Sequence, residues 1–166
     1  MIMSIKKYYT DQDVKAWVHT IMRGMSKDAW RPDYIVGLGR GGLVPAVMLS
    51  HYTGVPMQTL DVSLRDGGTK VSNCGMAEDA YEGTNILIVD DINDEGNTLQ
   101  WIRDDWRSTC MPNNPKWDTV WGYNVRVAVM INNGASNFTE VNYVGREINK
   151  NENNEWCVFP WENWWE

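Results

Sequence analysis

Hydrophobic residues near the start of the chain recur at helical spacing. Thr10 and Asp13 stand where an N-cap residue and its partner three positions on would begin a helix. The apolar residues that follow would form one stripe facing a core: Val14, Trp17, Val18, Ile21 and Met22. The spacing therefore predicts an amphipathic helix that ends near Gly24.

Further along, short apolar runs alternate with helical patterns. The runs are rich in Val and Ile, and most are short enough to be strands buried on both faces. The predicted strands are 34–38, 55–60, 86–89, 125–131 and 141–148. The predicted helices that follow strands are 43–49 and 98–107. This alternation predicts an α/β fold, with an open, mostly parallel sheet and helices on both faces, in one domain spanning 1–166.

The segment from Ser63 to Gly83 breaks this alternation. It has few apolar residues and mixed charge, and Arg65 and Lys70 are the cations it offers. We interpret it as a mobile loop that could contain a short hairpin. A connection of this length in a compact domain often closes over a ligand.

Composition excludes several classes of protein. The net charge of −7 argues against nucleic-acid binding, which normally needs a basic face. No apolar run approaches the roughly 18 residues of a membrane span, and residues 1–7 lack the apolar core of a signal peptide. Cys74, Cys110 and Cys157 are odd in number and far apart, so neither a disulfide framework nor a zinc site is indicated. We therefore expect reduced thiols in a cytoplasmic protein, with neither a membrane nor a nucleic acid as partner.

The end of the chain is rich in tryptophan. Of ten tryptophans, four lie in the last eleven residues. Exposing Trp161, Trp164 and Trp165 together would create an apolar patch of the kind that marks interfaces. We therefore expect burial of these rings against the domain or between copies of the chain, in a homodimer or higher homo-oligomer.

Acidic residues directly follow the apolar run at 86–89. Asp90 and Asp91 end the run, a polar loop with one glycine follows, and a helix is predicted from Thr98. Ligands bind at the carboxyl ends of such strands, and a helix N-terminus suits a phosphate. Carboxylates at such a site would hold sugar hydroxyls, a Mg²⁺ ion, or both. An Asp-rich turn that only caps a helix is the simpler alternative.

A glycine-rich loop follows the predicted strand at 34–38. Gly39, Arg40, Gly41 and Gly42 stand between this strand and the next helix. Glycines allow the backbone to approach a ligand closely, and the arginine adds a cationic fork for an anion. The alternative is a tight turn with a solvated arginine.

Together these motifs resemble the phosphoribosyl-pyrophosphate (PRPP) signature of type I phosphoribosyltransferases. The residues that fit the signature are Asp90, Asp91, Asp94, Gly96 and Thr98. The segment from Arg40 to Pro45 is similar to the pyrophosphate loop of the xanthine-guanine phosphoribosyltransferases. Tyr143–Val144 and the segment 156–162 resemble the tail of that branch, so the resemblance covers roughly residues 34–162.

The resemblance implies transfer of ribose 5-phosphate from PRPP to a purine-type base, with release of pyrophosphate and with Mg²⁺ as cofactor. It also implies a small C-terminal hood, at about 132–166. Asp90 and Asp91 would hold the ribose hydroxyls and the metal, and Asp94 would act on the base as the catalytic residue. The other implied substrate-binding residues are Arg40, Gly41, Gly42, Glu95, Gly96, Asn97, Thr98, Asn132 and Trp156.

Two positions depart from the family pattern. Glu95 stands where the family usually has a hydroxyl, and Asn132 or Asn133 stands about where the family has a lysine that reads the purine. An asparagine both donates and accepts hydrogen bonds, so it could read a 6-oxo edge, a 6-amino edge, or neither. Two alternatives therefore stay open: a non-catalytic protein that binds PRPP or a nucleotide, and another Mg²⁺-dependent enzyme acting on a phosphorylated sugar.

Overall fold

The computed structural model describes residues 4–64 and 68–166. The helices are α1 (Asp11–Lys27), α2 (Leu43–Thr53), α3 (Cys74–Glu82) and α4 (Asn97–Thr109), with a 3₁₀ turn at Pro115–Thr119. The strands are β1 (Ile5–Tyr8), β2 (Tyr34–Leu38), β3 (Met57–Leu60), β4 (Val62–Ser63), β5 (Thr69–Lys70), β6 (Ile86–Asn93), β7 (Val125–Asn133), β8 (Tyr143–Ile148) and β9 (Glu155–Val158). Within these described ranges, no helix has the length and apolarity needed to cross a membrane.

A five-stranded sheet forms the centre of the molecule. Its strand order is β3-β2-β6-β7-β8, and every neighbouring pair is parallel. The apolar runs at 34–38 and 86–89 occupy the inner strands β2 and β6, as their continuous hydrophobicity requires. The predicted open parallel sheet is therefore confirmed.

Helices cover both faces of the sheet, as predicted. Side chains that alternate along the strands divide into two cores. One core joins Val36, Ile88 and Val127 to buried residues of α3 and α4. The other joins Ile35 and Leu87 to buried residues of α1 and α2.

Two small strand pairs lie outside this sheet. The N-terminal strand β1 pairs in parallel with β9, near the end of the chain, and this pairing had no counterpart among the predicted strands. Strands β4 and β5 form an antiparallel hairpin, which the sequence analysis allowed for. Strand β8, which lies within the predicted hood at about 132–166, belongs to the central sheet, and the hood itself stays a prediction.

The prediction of a loop over the whole of 63–83 is wrong. Residues 74–82 form α3, which Asn73 caps by accepting a hydrogen bond from the Met76 amide at 3.0 Å. Met76, Ala77 and Ala80 are buried against the sheet, so this helix is part of the core. Its apolar stripe is too short and too rich in alanine to stand out in the sequence. Arg65 lies outside the described residues, and Lys70 is exposed at the end of the hairpin.

The aromatic tail packs only in part. Phe159 is buried, and Trp161 stacks on it with ring centroids 5.0 Å apart and an interplanar angle of 7°. Trp164 and Trp165 remain 77% and 68% exposed in the single chain. These two rings are therefore not buried within the chain, and their burial between copies stays a prediction.

Candidate active site

The loop between β2 and α2 runs along the carboxyl edge of the sheet. Gly39 adopts a left-handed conformation with φ of 53°, and its amide donates to the Leu60 carbonyl of the neighbouring strand β3. Arg40 follows with an exposed side chain. Gly42 then begins α2 without any side-chain cap. The loop thus leaves both a cation and the start of a helix at this edge.

This loop packs directly on the end of β6. A Cβ atom added at Gly41 would lie 2.3 Å from Oδ2 of Asp91. A Cβ atom added at Gly42 would lie 2.3 Å from the Val89 carbonyl oxygen. Only glycine fits at either position without displacing a neighbour, so the glycine loop and the acidic segment form one continuous surface.

The acidic pair lies within β6, which continues to Asn93. Asp90 Oδ1 accepts a hydrogen bond from the Asp91 amide, and Asp91 Oδ1 accepts one from the Ile92 amide, each at 2.8 Å. Both carboxylates are half-buried. These short local bonds fix the orientation of the carboxylates at the mouth of the site.

The next turn leads from β6 into α4. Gly96 begins the helix with φ of 90°, and a Cβ atom there would lie 2.6 Å from the backbone nitrogen of Phe138. Glu95 is exposed, and its Oε2 accepts a hydrogen bond from Asn97 Nδ2 at 3.1 Å. Thr98 Oγ1 accepts one from the Leu64 amide at 3.3 Å, so its own hydroxyl proton is still available to a ligand.

The two helices at this edge differ from α1 and α3 in how they begin. Thr10 caps α1 and Asn73 caps α3, each through its side chain. Helices α2 and α4 both begin at a glycine, with no side-chain cap. The first amides of a helix need hydrogen-bond acceptors, and an anion can supply them. At α2 the Gly42 and Leu43 amides already donate to backbone carbonyls, so the start of α4 offers more amides to an anion than the start of α2. Two uncapped helix starts thus flank Asp90 and Asp91.

Asp94 lies at the far side of this turn and contacts a lysine from another part of the chain. Lys150 Nζ is 3.0 Å from Asp94 Oδ2, and the two side chains are 18% and 26% exposed. Buried Asn133 holds both residues by their backbones: its Nδ2 donates to the Asp94 carbonyl, and its Oδ1 accepts from the Lys150 amide, each at 3.0 Å. The site thus contains a paired acid and cation.

Comparison with known proteins assigns the family. The family model of the phosphoribosyl transferase domain matches residues 4–162. The chain belongs to the phosphoribosyl transferase family. Xanthine-guanine phosphoribosyltransferase from Cereibacter sphaeroides is 36% identical over 86 residues, which are 49% of this chain and 50% of that protein. The chain therefore matches about half the length of this relative.

Solved structures of other proteins have a similar fold. Purine phosphoribosyltransferase from Pyrococcus horikoshii has a TM-score of 0.66 at 24% identity, covering 95% of both chains. The xanthine-guanine-hypoxanthine phosphoribosyltransferase of Helicobacter pylori has a TM-score of 0.68 at 14% identity, covering 96% of this chain and 95% of that one. At such identities the likeness shows the fold, which is the predicted phosphoribosyltransferase fold.

Asn132 and Trp156 are predicted to contact the base, and each has neighbours within the chain. Asn132 accepts a hydrogen bond from Asn93 Nδ2 at 2.8 Å and donates to both carboxylate oxygens of Glu147, at 3.1 and 3.2 Å. Both the oxygen and the nitrogen of its side-chain amide are therefore hydrogen-bonded. Trp156 is 53% exposed on β9, where it pairs in register with Lys6. Contact of either residue with a base stays a prediction.

Sequence reasoning missed Lys150. It lies in the polar turn between β8 and β9, among asparagines and glutamates that indicate only a solvent-exposed turn. Its distance from Asp94 along the chain gives no signal that the two side chains meet. The family resemblance gives none either, because it places a lysine at the end of β7.

Cys157 lies beside the same pair. Burial raises the pKa of its thiol, the nearby Lys150 lowers it, and Glu155 and Asp94 raise it. The net shift is upward, so this thiol stays protonated at neutral pH. The candidate site thus borders on a protonated thiol rather than on a thiolate.

Proposed function

We propose that this protein transfers ribose 5-phosphate from PRPP to a purine-type base and releases pyrophosphate. One observation carries the proposal: two helix starts without side-chain caps, at Gly42 and Gly96, flank Asp90 and Asp91. PRPP carries a pyrophosphate and a 5′-phosphate on either side of a ribose diol. In the site, hydroxyl-binding carboxylates stand between two candidate anion-binding loops, and in PRPP the ribose diol stands between pyrophosphate and the 5′-phosphate.

Each part of the substrate has proposed partners. The Gly41 amide and the Arg40 guanidinium would bind pyrophosphate, next to Gly42, whose own amide donates to the Leu38 carbonyl. The amides from residue 95 to residue 98, with the Thr98 hydroxyl, would bind the 5′-phosphate. Asp90 and Asp91 would accept hydrogen bonds from the ribose hydroxyls. The uncapped start of α4 supports the 5′-phosphate assignment, and the exposed Arg40 supports the pyrophosphate assignment.

The reaction exchanges one bond at C1 of the ribose for another. The C1–O bond breaks with its electron pair on pyrophosphate, and a base nitrogen forms the new bond to C1. The amides and the arginine would stabilise charge on the leaving group, since donors aimed at developing charge lower the barrier. Asp94 would accept the proton that the base loses, or orient the base for its loss. Asp94 would do this from beside Lys150, whose Nζ is 3.0 Å from Asp94 Oδ2.

The side chains at the mouth of the site also fit Mg²⁺. This ion is usually held by one or two carboxylates together with substrate phosphates and waters. Asp90 and Asp91 offer such carboxylates, half-buried next to the pyrophosphate loop. In the described part of the chain no three His, Cys, Asp or Glu side chains cluster as a metal site, as expected if the substrate supplies much of the coordination. When bound, Mg²⁺ would neutralise charge on the phosphate oxygens.

Oligomeric state and location belong to the same proposal. Trp164 and Trp165 are exposed together at the end of the chain, and such patches mark contacts between proteins. We therefore expect a homodimer or higher homo-oligomer, which light scattering of the purified chain would test. The three described cysteines are free, which supports a cytoplasmic location because disulfides form in oxidising compartments.

Pyrophosphate release tests the proposal directly. Purified protein is incubated with PRPP, Mg²⁺ and a panel of purine bases, and pyrophosphate is measured against time. We expect release that needs both a base and Mg²⁺. Asp91→Asn should lower kcat/KM at least roughly 100-fold, since charged hydrogen bonds and metal contacts contribute several kcal/mol in such sites.

Asp104→Asn is the matched control. Asp104 lies on the exposed surface of α4, and its Oδ1 accepts a hydrogen bond from Gln100 that an asparagine oxygen can also accept. This variant should keep wild-type activity. Tight PRPP binding without pyrophosphate release, for every base in the panel, would favour the non-catalytic binding protein, for which the carboxylate at Glu95 is the supporting observation.

A further inference from the structure

The ion pair between Lys150 and Asp94 places a hydrogen-bond donor and an acceptor side by side in the proposed base site. Lys150 Nζ and Asp94 Oδ2 are 3.0 Å apart. An ammonium group only donates hydrogen bonds, whereas a carboxylate only accepts them. Together they can offer one hydrogen-bond donor and one hydrogen-bond acceptor to a bound base.

One buried side chain, that of Asn133, holds the backbones of both Asp94 and Lys150. Asn133 donates to the Asp94 carbonyl and accepts from the Lys150 amide. It accepts a further bond from the Ala135 amide at 3.1 Å. Because one side chain holds both backbones, the Lys150 side chain starts close to Asp94 although it comes from the surface turn between β8 and β9.

The neighbouring amide does not offer the same recognition. Asn132 is held between Asn93 and Glu147, and both its oxygen and its nitrogen are used. Reading a base with Asn132 would break these bonds, and the buried Asn93 amide would lose an acceptor at a cost of about 1–3 kcal/mol, whereas exposed Glu147 could bond to water. Among the described residues Lys150 Nζ is hydrogen-bonded to Asp94 alone, so it can turn towards a base by exchanging that one contact.

The edge of a purine that carries position 6 and N7 distinguishes two classes of base. In a 6-oxopurine, O6 accepts a hydrogen bond, and in a 6-aminopurine the N6 amino group donates. A 6-oxopurine protonated at N7 presents an acceptor beside a donor, which complements a lysine beside a carboxylate. A 6-aminopurine would direct its amino group at the ammonium, so two donors would face each other.

Resting on the proposed function, we propose that Lys150 is the specificity-determining residue that selects 6-oxopurines over 6-aminopurines. It donates to O6, and Asp94 receives the N7 proton or orients it. The lysine comes from the turn between β8 and β9, not from the end of β7. Base selection in this protein therefore depends on a segment outside the central sheet.

The test compares Lys150→Met with Lys15→Met. Lys15 is exposed in the middle of α1, away from the site, and serves as the matched control. For each variant kcat/KM is measured with hypoxanthine, guanine and adenine, and PRPP affinity is measured separately. We expect Lys150→Met to lower kcat/KM for the two 6-oxopurines roughly 10- to 100-fold, the range for a lost charged hydrogen bond.

The ratio between bases distinguishes recognition from a structural role. Adenine turnover should change less than about threefold in Lys150→Met, and PRPP affinity should stay unchanged, because the phosphate groups are bound elsewhere. Lys15→Met should behave as wild type. An equal loss for all bases would assign Lys150 a structural role only, and no loss for any base would remove it from the site; either result overturns the inference.

A binding experiment separates this inference from the proposed reaction. If the wild-type protein releases no pyrophosphate with any base, calorimetry with GMP and AMP still reports base selection. We then expect GMP to bind the wild type more tightly than AMP, and Lys150→Met to remove that preference. Equal affinity of the wild type for both nucleotides, or binding of neither, would refute the role of Lys150.

Discussion

Gly41 lies so close to Asp91 that a Cβ atom at position 41 would meet Oδ2 at 2.3 Å and Cγ at 2.5 Å. Position 41 follows β2 and position 91 lies near the end of β6, which pairs with β2 in the central sheet. The missing side chain therefore lets the glycine loop and the carboxylate share one surface. In the proposed reaction these two groups would bind the leaving pyrophosphate and the ribose.

We predict that Gly41→Ala weakens PRPP binding at least tenfold, or about 1.4 kcal/mol. The added methyl group would push the Asp91 carboxylate from its position. Because a carboxylate is the mobile end of a side chain, the free energy of unfolding should fall by only about 1 kcal/mol. Calorimetry with PRPP and denaturant titration measure the two effects separately.

Gly75→Ala is the control for that variant. Position 75 lies in α3, and an added Cβ would make only an ordinary 3.4 Å contact with Asn73 Oδ1. Replacing such a glycine stabilises a helix by about 0.4–1 kcal/mol, and PRPP affinity should not change. Wild-type PRPP affinity in Gly41→Ala would show that the loop and Asp91 do not act on one ligand.

Gly96→Ala should be more destabilising than Gly41→Ala. The φ of 90° at Gly96 is unfavourable for a residue with a Cβ, and the added atom would lie 2.6 Å from the Phe138 backbone nitrogen. Backbone cannot rotate away as a carboxylate can. We expect a loss of at least roughly 1–3 kcal/mol in unfolding free energy, measured by chemical denaturation. Unchanged stability would mean that this turn relaxes freely.

Features encoded in contiguous sequence could be predicted, and features made by distant contacts could not. The continuous apolar runs of β2 and β6 have few alternatives to a buried strand, and the acidic and glycine loops follow them directly. By contrast, β1 is only four residues long and carries two lysines, so its pairing with β9 depends on a partner far along the chain. Lys150 was missed for the same reason, since its contact with Asp94 exists only in the folded protein.

Replacing Asn133 by aspartate should disturb Asp94 and Lys150 together. The change turns the donor that faces the Asp94 carbonyl into an acceptor. We expect a loss of about 1–3 kcal/mol in unfolding free energy at pH 7, together with lower turnover of 6-oxopurines. The stability deficit should shrink at acidic pH, where a protonated carboxyl can donate again. Thermal and chemical unfolding at pH 5 and pH 7 measure this difference.

Asn113→Asp controls for the added charge, because Asn113 is exposed in the loop after α4. It should leave both stability and turnover close to wild type. A deficit in Asn133→Asp that is equal at both pH values would show that the donor at position 133 is not what holds Asp94.

Tyr9 makes stability sensitive to alkaline pH. Its ring packs on Trp17 at a centroid distance of 5.0 Å, and its buried hydroxyl lies beside the Cys157 thiol. Burial raises the pKa of Tyr9 to about 12 from 10.0. The neutral form is favoured in the folded state, so its contribution to stability is complete below pH 10 and is lost as the pH rises towards 12.

We therefore predict that Tyr9→Phe loses less stability than wild type between pH 10 and pH 12, by about 2–3 kcal/mol. At pH 7 the two proteins should agree within about 1 kcal/mol, because the substitution removes a hydroxyl whose nearest polar group is a thiol, a weak hydrogen-bond partner. Tyr123→Phe, at an exposed position, should follow the wild-type curve. Parallel curves for wild type and Tyr9→Phe, measured by denaturation across this pH range, would contradict the prediction.

The last prediction concerns Glu95, whose carboxylate is next to the proposed 5′-phosphate site. A like-charge pair 4 Å apart costs about 4 kcal/mol at an effective dielectric of about 20, which would weaken PRPP binding roughly a thousandfold. The Glu95 side chain is exposed, however, and its Oε2 is bonded to Asn97 Nδ2. An acidic group near the start of a helix is also favoured by the helix dipole. We therefore predict that the carboxylate stays outside the phosphate site.

Glu95→Thr should then raise PRPP affinity by tenfold or less, about 1.4 kcal/mol. Glu95→Gln, which removes the charge and keeps the shape, should produce most of that rise, since long-range repulsion is the only term expected to change. Calorimetry with PRPP at low and at physiological salt measures both, and the difference should shrink with salt because the charges are exposed. A thousandfold rise from nearly undetectable binding would mean that the native carboxylate blocks the phosphate site, and would favour a protein that does not use PRPP as its substrate.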